Sequence, residues 1–94
     1  MNMRSAIFFV AEAEYDKLQR LCPEDFPYTY AQFSKRVDDS IGQMPADIHA
    51  VKVYITVSDF SDWCIESRIK PDGTARAKFA MLSLAKEVNP NAHF

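Results

Sequence analysis

The chain has 94 residues, of which 48% are hydrophobic and 13% aromatic, and it carries eleven bases against thirteen acids. A chain of that length makes one domain with a real core and a thin margin of stability; 26% charge and only two glycines exclude a disordered or linker-like chain. The near-neutral balance lacks the basic excess usual in nucleic-acid-binding domains, and no apolar run is long enough to span a bilayer.

The charge is uneven. Residues 1–48 hold eight acids and five bases, and residues 49–94 hold five acids and six bases. The opening apolar run, Ala6–Ala11, is too short for a secretory leader and runs into acids where a cleavage site would need small residues. With Cys22 and Cys64 matching no disulfide framework, the chain reads as a soluble cytoplasmic protein with no membrane contact.

Ala6–Val10 is a continuous apolar run that suits a strand covered on both faces. Glu12–Cys22 reads as a helix: Tyr15, Leu18 and Leu21/Cys22 recur at helical spacing, and Pro23 stops it. Glu12, Glu14 and Asp16 sit in its first turns, where the helix dipole favours acids. Pro23–Pro27 is a turn. Thr29 to Gln32 then fits a capping box, opening a helix with Tyr30, Phe33, Val37 and Ile41 on one stripe and Gly42 at its end.

Pro45–His49 reads as a loop. Val51, Val53, Ile55 and Val57 alternate with Lys52, Tyr54 and Thr56, the period of a strand. Ser58–Ile69 admits two readings. Ser58 and Asp59 suit an N-cap and first turn, with Phe60, Trp63 and Cys64 on one helical face; alternatively Trp63, Ile65, Ser67 and Ile69 alternate along a strand. The helix is preferred. Lys70–Gly73 is a turn. Thr74–Val88 is a helix with a wide apolar stripe of Ala77, Ala80, Met81, Leu84, Ala85 and Val88, widened further by Phe79 and Leu82 so that it lies across the core, and residues 89–94 are an expected frayed tail.

The fold class is therefore a small two-layer α+β domain over residues 1–94, in the order β-α-α-β-α-α. Its two-stranded sheet (residues 6–10 and 51–57) packs against helices, and becomes three-stranded if 62–69 is a strand. A faint repeat of about 45 residues sets Phe8-Phe9-Val10 over Val53-Tyr54-Ile55 and Tyr15 over Phe60, a match that any two strand–helix–helix units would give by chance. Two strands make a narrow sheet, and a symmetric homodimer through a strand edge or aromatic face would widen it.

The residues carry little chemistry. His49 is the only internal histidine, and pairing it with Cys64 or Cys22 gives a thiol nucleophile without any supporting motif; a buried thiol acting as a small hydrophobe is the commoner outcome. Cysteines and histidines at 22, 49, 64 and 94 lack the close pairs of zinc sites, and Gly42 and Gly73 form no phosphate loop. No cofactor, metal or small-molecule substrate is expected. The reading the residues support best is a non-enzymatic protein-interaction module, binding another protein or itself, of the size and charge of a bacterial or phage regulator, inhibitor or immunity-type protein. Its contact residues are the aromatics outside the core stripes: Phe26 and Tyr28 in the proline-bounded turn, and Tyr54 on the strand. The alternative is a nucleic-acid-binding protein using the helix-turn-helix-sized unit 58–88 through Arg68, Lys70, Arg76 and Lys78. A small cysteine-dependent enzyme ranks third.

Overall fold

The two apolar runs find each other. In the computed structural model, which describes residues 3–88 with side chains through Lys86, β1 (Met3–Phe9) and β2 (Ile48–Tyr54) form a two-stranded parallel sheet. Parallel neighbours need a long crossover, here supplied by α1 (Glu12–Leu21) and α2 (Tyr30–Gly42). After β2 come α3 (Val57–Ser67) and α4 (Gly73–Val88). The element order is the expected one, and Ser58–Ser67 is helical, so the sheet does not gain a third strand at 62–69. The expected tail, 89–94, lies outside the described residues.

Both strands begin three residues earlier than their apolar runs suggest; β1 ends one residue early, at Phe9, and β2 three residues early, at Tyr54. Met3 donates its N–H to the carbonyl of Asp47 at 3.0 Å, so the ladder extends through the polar residues Arg4 and Ser5, paired with His49 and Ala50. Val10, Ile55 and Val57 are buried all the same. They lead out of the sheet into the helices, where apolar residues are needed for packing whether or not they join the ladder. Part of the expected Pro45–His49 loop is consequently strand.

Alternation along β1 divides the helices between the sheet's two faces. Phe9 stacks on Phe33 of α2 at 5.3 Å between ring centroids, while Phe8 meets Phe60 of α3 edge-on at 5.1 Å. One aromatic cluster thus joins Phe9 to Tyr15, Tyr30 and Phe33; the other joins Phe8 to Phe60, Trp63 and Phe79. Phe60 is fully buried, and a phenyl ring so placed contributes about 1.5–3 kcal/mol by burial alone. No buried side-chain nitrogen or oxygen among the described residues lacks a hydrogen-bond partner.

The helix ends are built by different means. Thr29 and Gln32 form the expected capping box at α2. Asp72 caps α4, its Oδ1 accepting from the N–H of Ala75 at 2.9 Å. At α3 the N-cap is Thr56, not Ser58, and its side chain makes no capping bond. Glu14 of α1 supplies the missing acceptor, its Oε1 taking the N–H of Val57 at 2.7 Å.

The expected stripe of α4 is rotated. Ala75, Phe79 and Ala80 are buried and Leu84 half-buried, but Ala77 and Ala85 face solvent and Met81 is 63% exposed. A helix packed on one face of a two-stranded sheet, with no further layer outside it among the described residues, buries one stripe and leaves the opposite side open.

Candidate interaction surface

Of the three aromatics singled out for contact, only Tyr54 stands clear of the fold. It is 65% exposed and touches the edge of Phe9 at 5.2 Å. Phe26 is half-buried, packed edge-on against Tyr15 and Phe33. Tyr28 is also half-buried, with the Arg36 guanidinium 4.5 Å above its ring. Its backbone carbonyl accepts from the hydroxyl of Tyr15 and from the Gln19 amide, each at 2.8 Å, which pins the loop entering α2. Tyr30 donates its hydroxyl to the carbonyl of Val10 at 3.0 Å and packs on Phe9 beside Tyr54.

Tyr28 and Tyr30 wall a cleft of about 520 Å³ against α1. The facing wall carries Glu12 and Asp16, exposed and one helical turn apart. Tyr28 also lines a second cleft of about 270 Å³, floored by Ile7, Phe33 and Val37, and Arg36 belongs to that one. The fold sorts the acids of α1 and α2 into different roles. Glu14 caps α3 and pairs with Lys17, Asp38 holds Lys52 at 2.7 Å, Asp39 pairs with Lys35, and Glu12 and Asp16 face the cleft.

The basic residues of the helix-turn-helix-sized unit are not brought together as a reading surface. Arg68, Lys70 and Lys78 are exposed. The side chain of Arg76 is only 15% exposed and works inside the fold: it donates to Asp25 Oδ2 and to the carbonyl of Pro71, both at 3.0 Å, and lies 4.9 Å over the ring of Phe26. These ties brace the Pro23–Pro27 turn to the start of α4. Nothing local in the sequence signals this, because Asp25 and Phe26 are some fifty residues away.

Both cysteines are free and buried. Burial raises the thiol pKa of each, and at Cys22 the nearby Arg76 only partly opposes it. The Cys22 thiol donates to the carbonyl of Pro71 at 3.2 Å. His49 lies exposed on β2. Among the described residues no group of His, Cys, Asp and Glu is arranged to hold a metal ion, and no helix is long and apolar enough to cross a membrane. Comparison with protein-family models, curated proteins and solved structures finds no match to this chain.

Proposed function

We propose that this chain is a non-enzymatic protein-interaction module, acting in the cytoplasm, that binds another protein or a second copy of itself through the face carrying Tyr54, Tyr28 and Phe26. The observation that carries the reading is Tyr54. A large aromatic ring, 65% exposed beside an aromatic cluster, is the kind of anchor that contributes disproportionately at interfaces. Two buried thiols with raised pKa values support a role other than thiol catalysis, and free cysteines fit a reducing compartment. Nucleic-acid binding through 58–88 ranks below it, since Arg76 is engaged within the fold.

The test is Tyr54→Ala. Losing one edge-on contact with Phe9 costs on the order of 1 kcal/mol, so the melting temperature falls by less than about 8 °C. Sedimentation at micromolar concentration should show self-association in the wild type that the variant loses. If the wild type is a monomer, a partner captured from the native host should be retained by the wild type and released by the variant. Binding that survives the substitution, or that is lost only together with folding, makes Tyr54 a packing residue and overturns the reading.

A further inference from the structure

We propose that the outer edge of β2 pairs with the same edge of a second copy of this chain, antiparallel across a two-fold axis at Val51, to make a four-stranded sheet. This rests on the reading of the chain as an interaction module and names the partner met at Tyr54. The ladder with β1 decides which residues face the edge. Met3 donates its N–H to the carbonyl of Asp47, and Ile55 donates its own to the carbonyl of Phe9. Backbone groups point alternately to either side along a strand. The odd-numbered residues of β2 therefore turn toward β1, and Ile48, Ala50, Lys52 and Tyr54 turn outward. The N–H of Ile48 closes the preceding turn on the carbonyl of Pro45 at 3.0 Å. Among the described residues nothing else bonds to the outward N–H and C=O groups of these four. Such an open row is a template for another strand.

The edge of β1 is flanked. Asp25 and Phe26 line a cleft with Ile7, Asp25 is held by Arg76 of α4, and Phe26 packs on Phe33 of α2. Because α2 and α4 lie on opposite faces of the sheet, the Pro23–Pro27 turn bridges them past β1, and α4 itself packs chiefly on that strand. The edge of β2 complements itself. A two-fold axis at Val51 sets Ala50 against Lys52 and Ile48 against Tyr54, so all four outward residues meet an outward residue of the second copy. An axis at Lys52 would oppose two like charges, and one at Ala50 would set Tyr54 against Ala46, in the turn before the strand. In the Val51 register the one lysine of the edge meets a small side chain. Its charge is already answered by Asp38 at 2.7 Å, so two copies meet without repulsion. The exposed ring of Tyr54 falls across Ile48 of the second copy, an aromatic–aliphatic pair of the kind that stabilises sheets. A strand matched to itself in this way is what a two-fold interface requires, and four strands make a sheet of ordinary width.

The experiment is thiol cross-linking of the full chain, with sedimentation alongside. In this register the two Val51 residues form a non-hydrogen-bonded pair with Cα atoms about 4.5 Å apart, within disulfide range. Val51→Cys should therefore give a disulfide-linked dimer with oxidised glutathione as the oxidant. His49→Cys, at an exposed position of the same strand, should cross-link at least about tenfold more slowly, because its two copies lie roughly 14 Å apart along the pairing. The wild type, whose thiols are buried, should not cross-link. Its sedimentation should show a monomer–dimer equilibrium with Kd on the order of ten micromolar, as suits a small interface. Ala50→Pro removes an outward N–H and leaves the bonds to β1 in place; it should dimerise at least about tenfold more weakly with unchanged far-UV circular dichroism. A wild type still monomeric about tenfold above that Kd, His49→Cys cross-linking as fast as Val51→Cys, or a folded Ala50→Pro that dimerises like the wild type overturns the proposal. Should Ala50→Pro fail to fold, the two cysteine variants decide. A monomeric wild type that captures a different protein through Tyr54 overturns self-pairing and leaves the interaction-module reading standing. Cross-linking of Val51→Cys that survives Tyr54→Ala upholds the pairing and removes Tyr54 as its anchor.

Discussion

The carboxylate of Glu14 serves two elements at once. It accepts the N–H of Val57 at the start of α3 and pairs with Lys17 on its own helix. The bond from Val57, then the one from Lys17, pull its pKa below the ordinary 4.5. A depressed folded-state pKa means that the ionised form is the one stabilised. The contribution is therefore present above the unfolded value and is lost as pH falls through the folded one. Glu14→Gln should melt at a lower temperature than the wild type at pH 7, and the two melting curves should converge below about pH 4. Parallel curves across that range would mean that the carboxylate charge does nothing for α3. From the sequence alone Glu14 is indistinguishable from Glu12 and Asp16, three acids opening a helix. Arg76 is likewise indistinguishable from Lys78. In both cases the difference is a partner 43 or more residues away, and side-chain reach across the fold has no signature in local spacing.

At the level of elements, periodicity and punctuation carry most of the information. The capping box at Thr29, the stripe of Tyr30 and Phe33, and the stop at Pro23 all reappear in place because each depends on neighbours within four residues. Strand limits do not, because pairing decides them: Arg4 and Ser5 join the ladder on the strength of what lies opposite. The rotated stripe of α4 has a similar origin, since the sequence shows that the helix is apolar nearly all round but not which side of it meets the sheet. The end of α3 offers a test. Arg68 sits in the left-handed region at φ 56°, and the N–H of Ile69 reaches back to the carbonyl of Cys64 at 3.0 Å. A side chain there is strained, and glycine is the residue that tolerates it. Arg68→Gly should stabilise the domain by about 0.5–1 kcal/mol, because relief of that strain outweighs the added freedom of the unfolded chain. Urea unfolding would register this as a higher midpoint with an unchanged slope; a lower midpoint would mean that the arginine side chain makes a contribution of its own.

Over the whole molecule, the two strand–helix–helix units pair in a register where partners are 45 residues apart, as in Phe9 with Tyr54. That is the spacing of the faint repeat, which the sequence could not distinguish from coincidence. The distribution of helices over both faces was not legible either, since alternation marks two faces without saying which helix takes each. The buried thiols report on the integrity of this arrangement. Cys22 and Cys64 should react with iodoacetamide at neutral pH far more slowly than an unfolded peptide thiol, with rates that rise together in urea. Fast labelling of either one in the native protein would revive the thiol-enzyme reading. The parallel ribbon also has a consequence during synthesis. When Phe9 leaves the ribosome its partner Tyr54 has not been made, and at roughly 5–20 residues per second the gap lasts about 2–9 s. Throughout that interval β1, with Ile7, Phe8 and Phe9 in sequence, is a sticky segment with no sheet to join. The nascent chain is then a natural client for ribosome-associated chaperones, and slowing translation between the two strands would lengthen its exposure to aggregation.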